Sequence, residues 1–206
     1  MIRPLVAAFG FVLVVATTPV FAQAPAQGAE ARQFVSGLGD QVIQLIGDKQ
    51  APAAQRKQQF ASLVDKSFDV DGIARFILGP YWRTATEQQR ADFQQVFKTY
   101  MVNVYWADFS QYSGQKLAVT GQRAESPTST VINSEIEQPN GKPPVKVDWR
   151  VASANGGYKI TDVTVGGVSE LVTYRQEFAD VIAQGGGNVA TLTDKLRQKN
   201  QQTGAS

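Results

Sequence analysis

At Gly114 the apolar residues of this chain change period, and that switch most narrows what the chain can fold into. Before it, Phe93, Val96, Phe97, Tyr100, Met101, Val104, Tyr105, Phe109 and Tyr112 follow helical spacing for about five and a half turns. Thr86 and Gln89 stand where a capping box would start that helix. Beyond Gly114 the spacing becomes two. Leu117 and Val119 alternate with polar residues, and Ile132, Ser134 and Ile136 share a parity. Val145, Val147, Trp149 and Val151 then alternate with Lys146, Asp148 and Arg150. Turn signals at Pro139-Asn140-Gly141 and Asn155-Gly156-Gly157 separate the strands. The reading is an α+β domain with an antiparallel meander of four or slightly more strands. One sheet face is apolar and needs helices to cover it. In the strand from Tyr158 to Val165, Tyr158 and Ile160 have one parity while Val163 and Val165 have the other. Either a bulge near Asp162 or burial on both faces would reconcile them.

Helices account for the remainder. Ala29 to Lys49 carries Phe34, Val35, Leu38, Val42, Leu45 and Ile46 at helical spacing. Pro52 opens a second helix with Phe60, Leu63, Val64 and Phe68 on its apolar face. A short third runs from Val70 to Leu78 and stops at Gly79-Pro80. Ser169 to Gln184 and Val189 to Arg197 close the chain, parted by Gly185-Gly186-Gly187. That triple glycine lacks the strand, lysine and spacing of a phosphate loop, so it reads as a linker. Asp65, Asp69 and Asp71 lack calcium-loop spacing and the final glutamate, and read as helix caps.

The first segment reads as an address. Arg3 precedes an apolar run from Leu5 to Ala16, twelve residues and too short to span a bilayer. Val20 and Ala22 flank Phe21 in a small-x-small pattern, so residues 1–22 are expected to be a cleavable signal peptide. Residues 23–28 are expected to be irregular, 29–197 to form the domain, and 198–206 to form a flexible tail. The chain has no cysteine, which excludes a lipid-anchored N-terminus and disulfide support. It also has no histidine, so Cys and His nucleophiles, Ser-His triads and ordinary zinc sites are excluded. Twenty Lys and Arg against 18 Asp and Glu give a net charge of +2, with no basic stripe for nucleic acid. No cofactor or metal is implied.

Three separated blocks then resemble one family. The first holds Phe68-Asp69, Ile73 to Gly79 and Tyr81 to Arg90. The second holds Asn140 to Val145, Asp148-Trp149-Arg150 and Gly157 to Val163. The third is Gly166-Gly167-Val168-Ser169 with Arg175, Glu177 and Phe178. Together they resemble the toluene-tolerance family, which includes periplasmic phospholipid shuttles of Gram-negative bacteria. The resemblance implies an NTF2-like sheet packed with about six to seven helices around an acyl-chain pocket. It implies a diacyl phospholipid as ligand, and a monomer working without catalysis. Its implied partners are an inner-membrane ABC transporter complex with a substrate-capture domain and an outer-membrane lipoprotein–porin complex. The family usually has an acidic residue near Gly166 or Gly167 and an apolar one at Glu170, so this chain departs from it there.

The same resemblance nominates pocket residues. These are Phe76, Leu78 and Trp82 in the first block, and Phe93, Phe97, Tyr100, Val104 and Tyr105 on the long helix. Val147, Trp149, Val163 and Val165 on the strands, with Val168 and Val172 after them, complete the set. By spacing alone each of these is equally a core residue. Arg75, Lys146 and Arg150 are headgroup candidates, against the alternative of a solvated sheet face. A carrier has a physical rationale: two long acyl chains gain roughly 20 kcal/mol when shielded from water, at about 0.8 kcal/mol per methylene. Other readings are a hopanoid or isoprenoid carrier of the same family, an NTF2-like enzyme using Asp162 with a tyrosine, and an adaptor without cargo.

Overall fold

The computed structural model describes residues 24–109, 112–154 and 156–204. The expected signal peptide and Asn155 of the second turn lie outside them. Among the described residues, seven α-helices and five strands follow one another in three blocks: α1 (Ala24–Gly47), α2 (Ala53–Ser67), α3 (Val70–Leu78), α4 (Tyr81–Thr84) and α5 (Glu87–Phe109), then the strands, then α6 (Glu170–Gln184) and α7 (Val189–Gly204). The strands are β1 (Lys116–Ser126), β2 (Ser129–Glu137), β3 (Val145–Ala154), β4 (Gly157–Val165) and β5 (Val168–Ser169), antiparallel neighbours in chain order. The fifth strand is a two-residue return after Gly166-Gly167, shorter than any periodicity reveals.

Helix starts follow their side chains. Gln89 N–H donates to Thr86 Oγ1 (3.1 Å), and Thr86 N–H donates to Gln89 Oε1 (2.9 Å), closing the capping box of α5. Asp69 caps α3 by accepting from Gly72 N–H (3.1 Å), and Ser169 caps α6 through Val172 N–H (3.1 Å). Two expected boundaries are corrected. Helix α1 begins at Ala24, inside the stretch expected to be irregular, and Pro25 falls in its first turn, where a missing N–H costs no helical hydrogen bond. Helix α7 continues through the expected tail to Gly204. Asn200 anchors that extension by donating to Val96 O (3.1 Å) and accepting from Asn103 (3.2 Å).

The parity break in β4 is a bulge. Arg150 pairs with Asp162 and Val151 with Ile160, leaving Thr161 with no opposite residue. The extra residue turns Tyr158, Ile160, Val163 and Val165 to one face, shared with Ile132, Val147, Trp149 and Val151. Helix α1 lies on that face, with Ala31, Val35 and Leu38 packed on Ile132, Val151 and Ile160. Gly39 permits close approach, since a Cβ there would fall 2.5 Å from Leu117.

A second apolar cluster is helical. Phe60, Ile73, Ile77, Leu78, Phe93, Phe97, Phe178, Ile182, Leu192 and Leu196 are all buried within it. The two clusters adjoin at Val42 and Phe68, which pack against both.

Candidate functional site

The nominated pocket residues divide among three places. Leu78, Phe93 and Phe97 are fully buried in the helical cluster. Phe93 and Phe97 stack at 5.5 Å between ring centres, and both meet the ring of Phe178 edge-on. Tyr100 and Tyr105 lie at the border of this cluster beside Tyr174 of α6, with Val104 half-buried next to them. Val147, Trp149 and Val163 belong to the apolar sheet face, and Val147 is buried. Trp149 Nε1 donates to Ser134 Oγ (2.9 Å), which ties its indole to the neighbouring strand. Phe76, Val165, Val168 and Val172 are instead exposed, at 39, 37, 60 and 43%. Val165 and Val168 pair across the β4–β5 turn, Val172 stands on the first turn of α6, and Phe76 on α3 touches Arg175 of α6. They form an apolar rim.

The border between α5 and α6 carries three tyrosines, Tyr100, Tyr105 and Tyr174, with Lys199 over the Tyr100 ring at 5.8 Å. Burial pushes the Tyr105 hydroxyl up to about 12, and burial together with Tyr105 and Tyr100 raises that of Tyr174 further. Both stay neutral across the physiological range and hydrogen-bond one another. Glu170, close by, has its carboxyl raised from the ordinary value first by burial and then by repulsion from Asp162 and Glu177.

Asp162 is buried and fully engaged. Arg150 Nη1 donates to it at 2.8 Å, Ser169 Oγ at 2.8 Å, and Leu171 N–H at 3.3 Å. These bonds fasten the start of α6 to the sheet and engage both carboxylate oxygens. Asp148 is on the polar face and accepts from Asn133 (2.9 Å). Arg150 is itself clamped between Asp162 and Glu125 (both 2.8 Å), so it is a sheet-fastening residue. Lys146 is exposed on β3. The structure groups neither with the third headgroup candidate, Arg75.

Arg75 lies in a different setting. It lines a cleft of about 510 Å³ with Phe76, Gly79, Pro80, Trp82, Arg83 and Arg175. Arg83 and Arg175 were not among the sequence candidates, because the cleft draws on α3, α4 and α6, which only the fold brings together. Among the described residues no group of three or more carboxylates is placed to hold a metal ion. No helix there is long and apolar enough to cross a membrane.

A helical layer over an open antiparallel sheet, with aromatic rings at their border and a basic cleft beside an apolar rim, defines an α+β domain suited to an amphiphile. Residues 37–198 match the family model described as MlaC protein, and the chain belongs to that family. The toluene tolerance protein ttg2D of Pseudomonas putida is 25% identical over 198 residues, covering 92% of this chain and 85% of that protein. The intermembrane phospholipid transport system binding protein MlaC of Haemophilus influenzae is 26% identical over 129 residues, 61% of this chain and 59% of that one. A phospholipid-binding protein from Ralstonia solanacearum, solved in complex with a phospholipid, superposes with a TM-score of 0.74 at 28% identity, covering 85% of this chain and 99% of that chain.

Proposed function

We infer that this chain is a phospholipid carrier that shields acyl chains while moving a lipid through the periplasm. The observation that carries the reading is the fold-wide match to a protein solved with phospholipid, across nearly all of that protein's length. Residues 1–22 act as the export signal, and the processed chain works as a monomer. Lipid is exchanged with an inner-membrane ABC transporter complex through its substrate-capture domain, and with an outer-membrane lipoprotein–porin complex. The acyl chains enter between the helical and sheet clusters, where Val42 and Phe68 touch both. Parting two apolar surfaces there costs little once an acyl chain replaces the contacts, because apolar area stays out of water. The protein does no chemistry on its cargo: Asp162, the best placed carboxylate, is spent on Arg150, Ser169 and Leu171.

The test is native mass spectrometry of chain purified without detergent, followed by lipid extraction under denaturing conditions. About one glycerophospholipid per chain is expected. Recovery of no lipid would sink the carrier reading, and recovery of hopanoid alone would reassign the cargo.

A further inference from the structure

Most arginines of the described chain have assigned partners. Arg150 and Arg197 ion-pair with carboxylates, and Arg32, Arg56 and Arg90 donate to backbone carbonyls. Arg75, Arg83 and Arg175 do neither among the described residues, yet all three line the same cleft, and no carboxylate lines it with them. Asp71, one turn before Arg75, accepts from Gln94 instead (2.7 Å). Three cations gathered on one cleft repel one another unless an anion joins them.

The cleft is also built. The Arg175 guanidinium lies over the ring of Phe76 at 4.6 Å, which fixes its plane. Gly79 has a φ of +52°, and a Cβ there would come within 3.0–3.2 Å of the guanidinium atoms of Arg175. A glycine therefore both ends α3 and leaves room for this side chain. Across the cleft, Arg90 stacks on Trp82 at 5.3 Å and donates to its carbonyl (2.8 Å), holding the turn that carries Arg83. The negative end of α3 favours cations nearby. That effect does not consume their N–H groups, since the α3 end carbonyls of Arg75 and Phe76 accept from Gly79 N–H. The exposed Val172 is one turn before Arg175 on α6, and Val165 and Val168 continue the apolar strip. A basic cleft opening onto an apolar strip matches the two ends of a lipid.

We propose that Arg75, Arg83 and Arg175 form a phosphate site, which takes the phosphodiester of a phospholipid whose chains leave along the Val172 strip. The inference rests on the carrier reading for its ligand but not for its anion chemistry, because free phosphate offers the same groups. Arginine presents a planar pair of N–H donors to phosphate oxygens, and several such contacts are charge-assisted.

The experiment follows the arginine side-chain N–H signals by NMR in the purified chain. The probes are inorganic phosphate, a short-chain phosphatidylglycerol and the diacylglycerol with the same chains. Expected is a shift of the Arg75, Arg83 and Arg175 signals with phosphatidylglycerol, which binds more tightly than diacylglycerol. Arg83→Gln and Arg175→Gln each reduce that affinity by roughly tenfold or more, while Arg123→Gln on β1 does not. Equal shifts with inorganic phosphate, and equal affinity for the two lipids, would support the anion site but assign it to free phosphate. Arginine signals unmoved by either phosphate probe overturn the site, even where lipid is still recovered from the chain. The same signals moving only with an acidic protein partner would overturn it too, making the cleft a protein contact. Because the Arg83 guanidinium makes no hydrogen bond or ion pair among the described residues, and only its backbone bonds to Pro80 and Arg90, loss of binding in Arg83→Gln with an unchanged melting temperature excludes unfolding as the cause.

Discussion

Asp162 shows how one carboxylate ties a strand to a helix. Its side chain is 3% exposed and serves Arg150, Ser169 and Leu171 at once, whereas Arg150 is 41% exposed and has Glu125 as a second partner. Asp162→Ala removes the ion pair and the hold on the start of α6. The exposed Arg150 can rehydrate, so the loss falls below the full cost of a broken buried pair, at about 2–3 kcal/mol. Urea unfolding at neutral pH measures it, and a loss under about 0.5 kcal/mol would mean the network contributes only orientation. Glu170 acts in the opposite sense. Its carboxyl is raised above 4.5 by burial and by Asp162 and Glu177, so the folded state favours the protonated form. The stability this gives is present below the ordinary pKa and is lost as pH rises through the raised folded value. Glu170→Gln should therefore raise Tm relative to the parent chain by more at pH 7 than at pH 4. An unchanged pH slope in paired melts would show that Glu170 is solvated in both states. The apolar residue expected at this position by resemblance would have the same effect for the same reason.

Elements were legible wherever a local bond or a local period defines them. The α5 capping box is visible because Thr86 and Gln89 satisfy each other within one turn. Thr86→Ala should lower stability by about 1 kcal/mol, read from thermal or urea unfolding. Thr86→Ser should recover most of it, since the serine hydroxyl can accept from the same N–H. The bulge at Thr161 was legible as a parity conflict, but only pairing with Arg150 and Val151 decides it. Strand β5 and helix α4 were not legible, because two and four residues carry no period. Helix α1 reaches back to Ala24 and α7 on to Gly204, beyond what polarity and chain position suggest, because Pro25 and Gly28 at one end and Asn200 and Thr203 at the other are poor local helix signals. The candidate site was legible in a similar, partial way. Periodicity marks Phe93, Phe97, Tyr100 and Trp149 as apolar-facing, but it is blind to whether the neighbour is protein or ligand. Arg83 and Arg175 were invisible as a pair, since their meeting depends on how α6 packs on α3 after the whole sheet has intervened.

Without disulfides, the molecule is held by two apolar clusters joined along a narrow border. A carrier needs that border to open while each cluster stays intact, so substitutions on either side of it should separate cargo from folding. Val163 pairs with Trp149 on the apolar sheet face, within the sheet cluster, and Val172 stands exposed on the first turn of α6. An Asp at position 172 meets water and a helix N-terminus, so Val172→Asp should fold with little loss. An Asp at position 163 is costly in tight packing, by about 2–4 kcal/mol for an unsatisfied polar group, but tolerable where the space can hydrate once lipid is gone. Ile182, fully buried in the helical cluster, supplies the contrast: Ile182→Asp should fail to fold. Circular dichroism melting and lipid recovery are measured together on all three. Both valine variants are expected to melt cooperatively and to carry little lipid. If Val163→Asp unfolds like Ile182→Asp, the sheet face there is solid core and the acyl chains lie elsewhere. If both valine variants fold and still hold lipid, the border is closed to cargo, and the chains must run outside the β4–α6 side of the molecule.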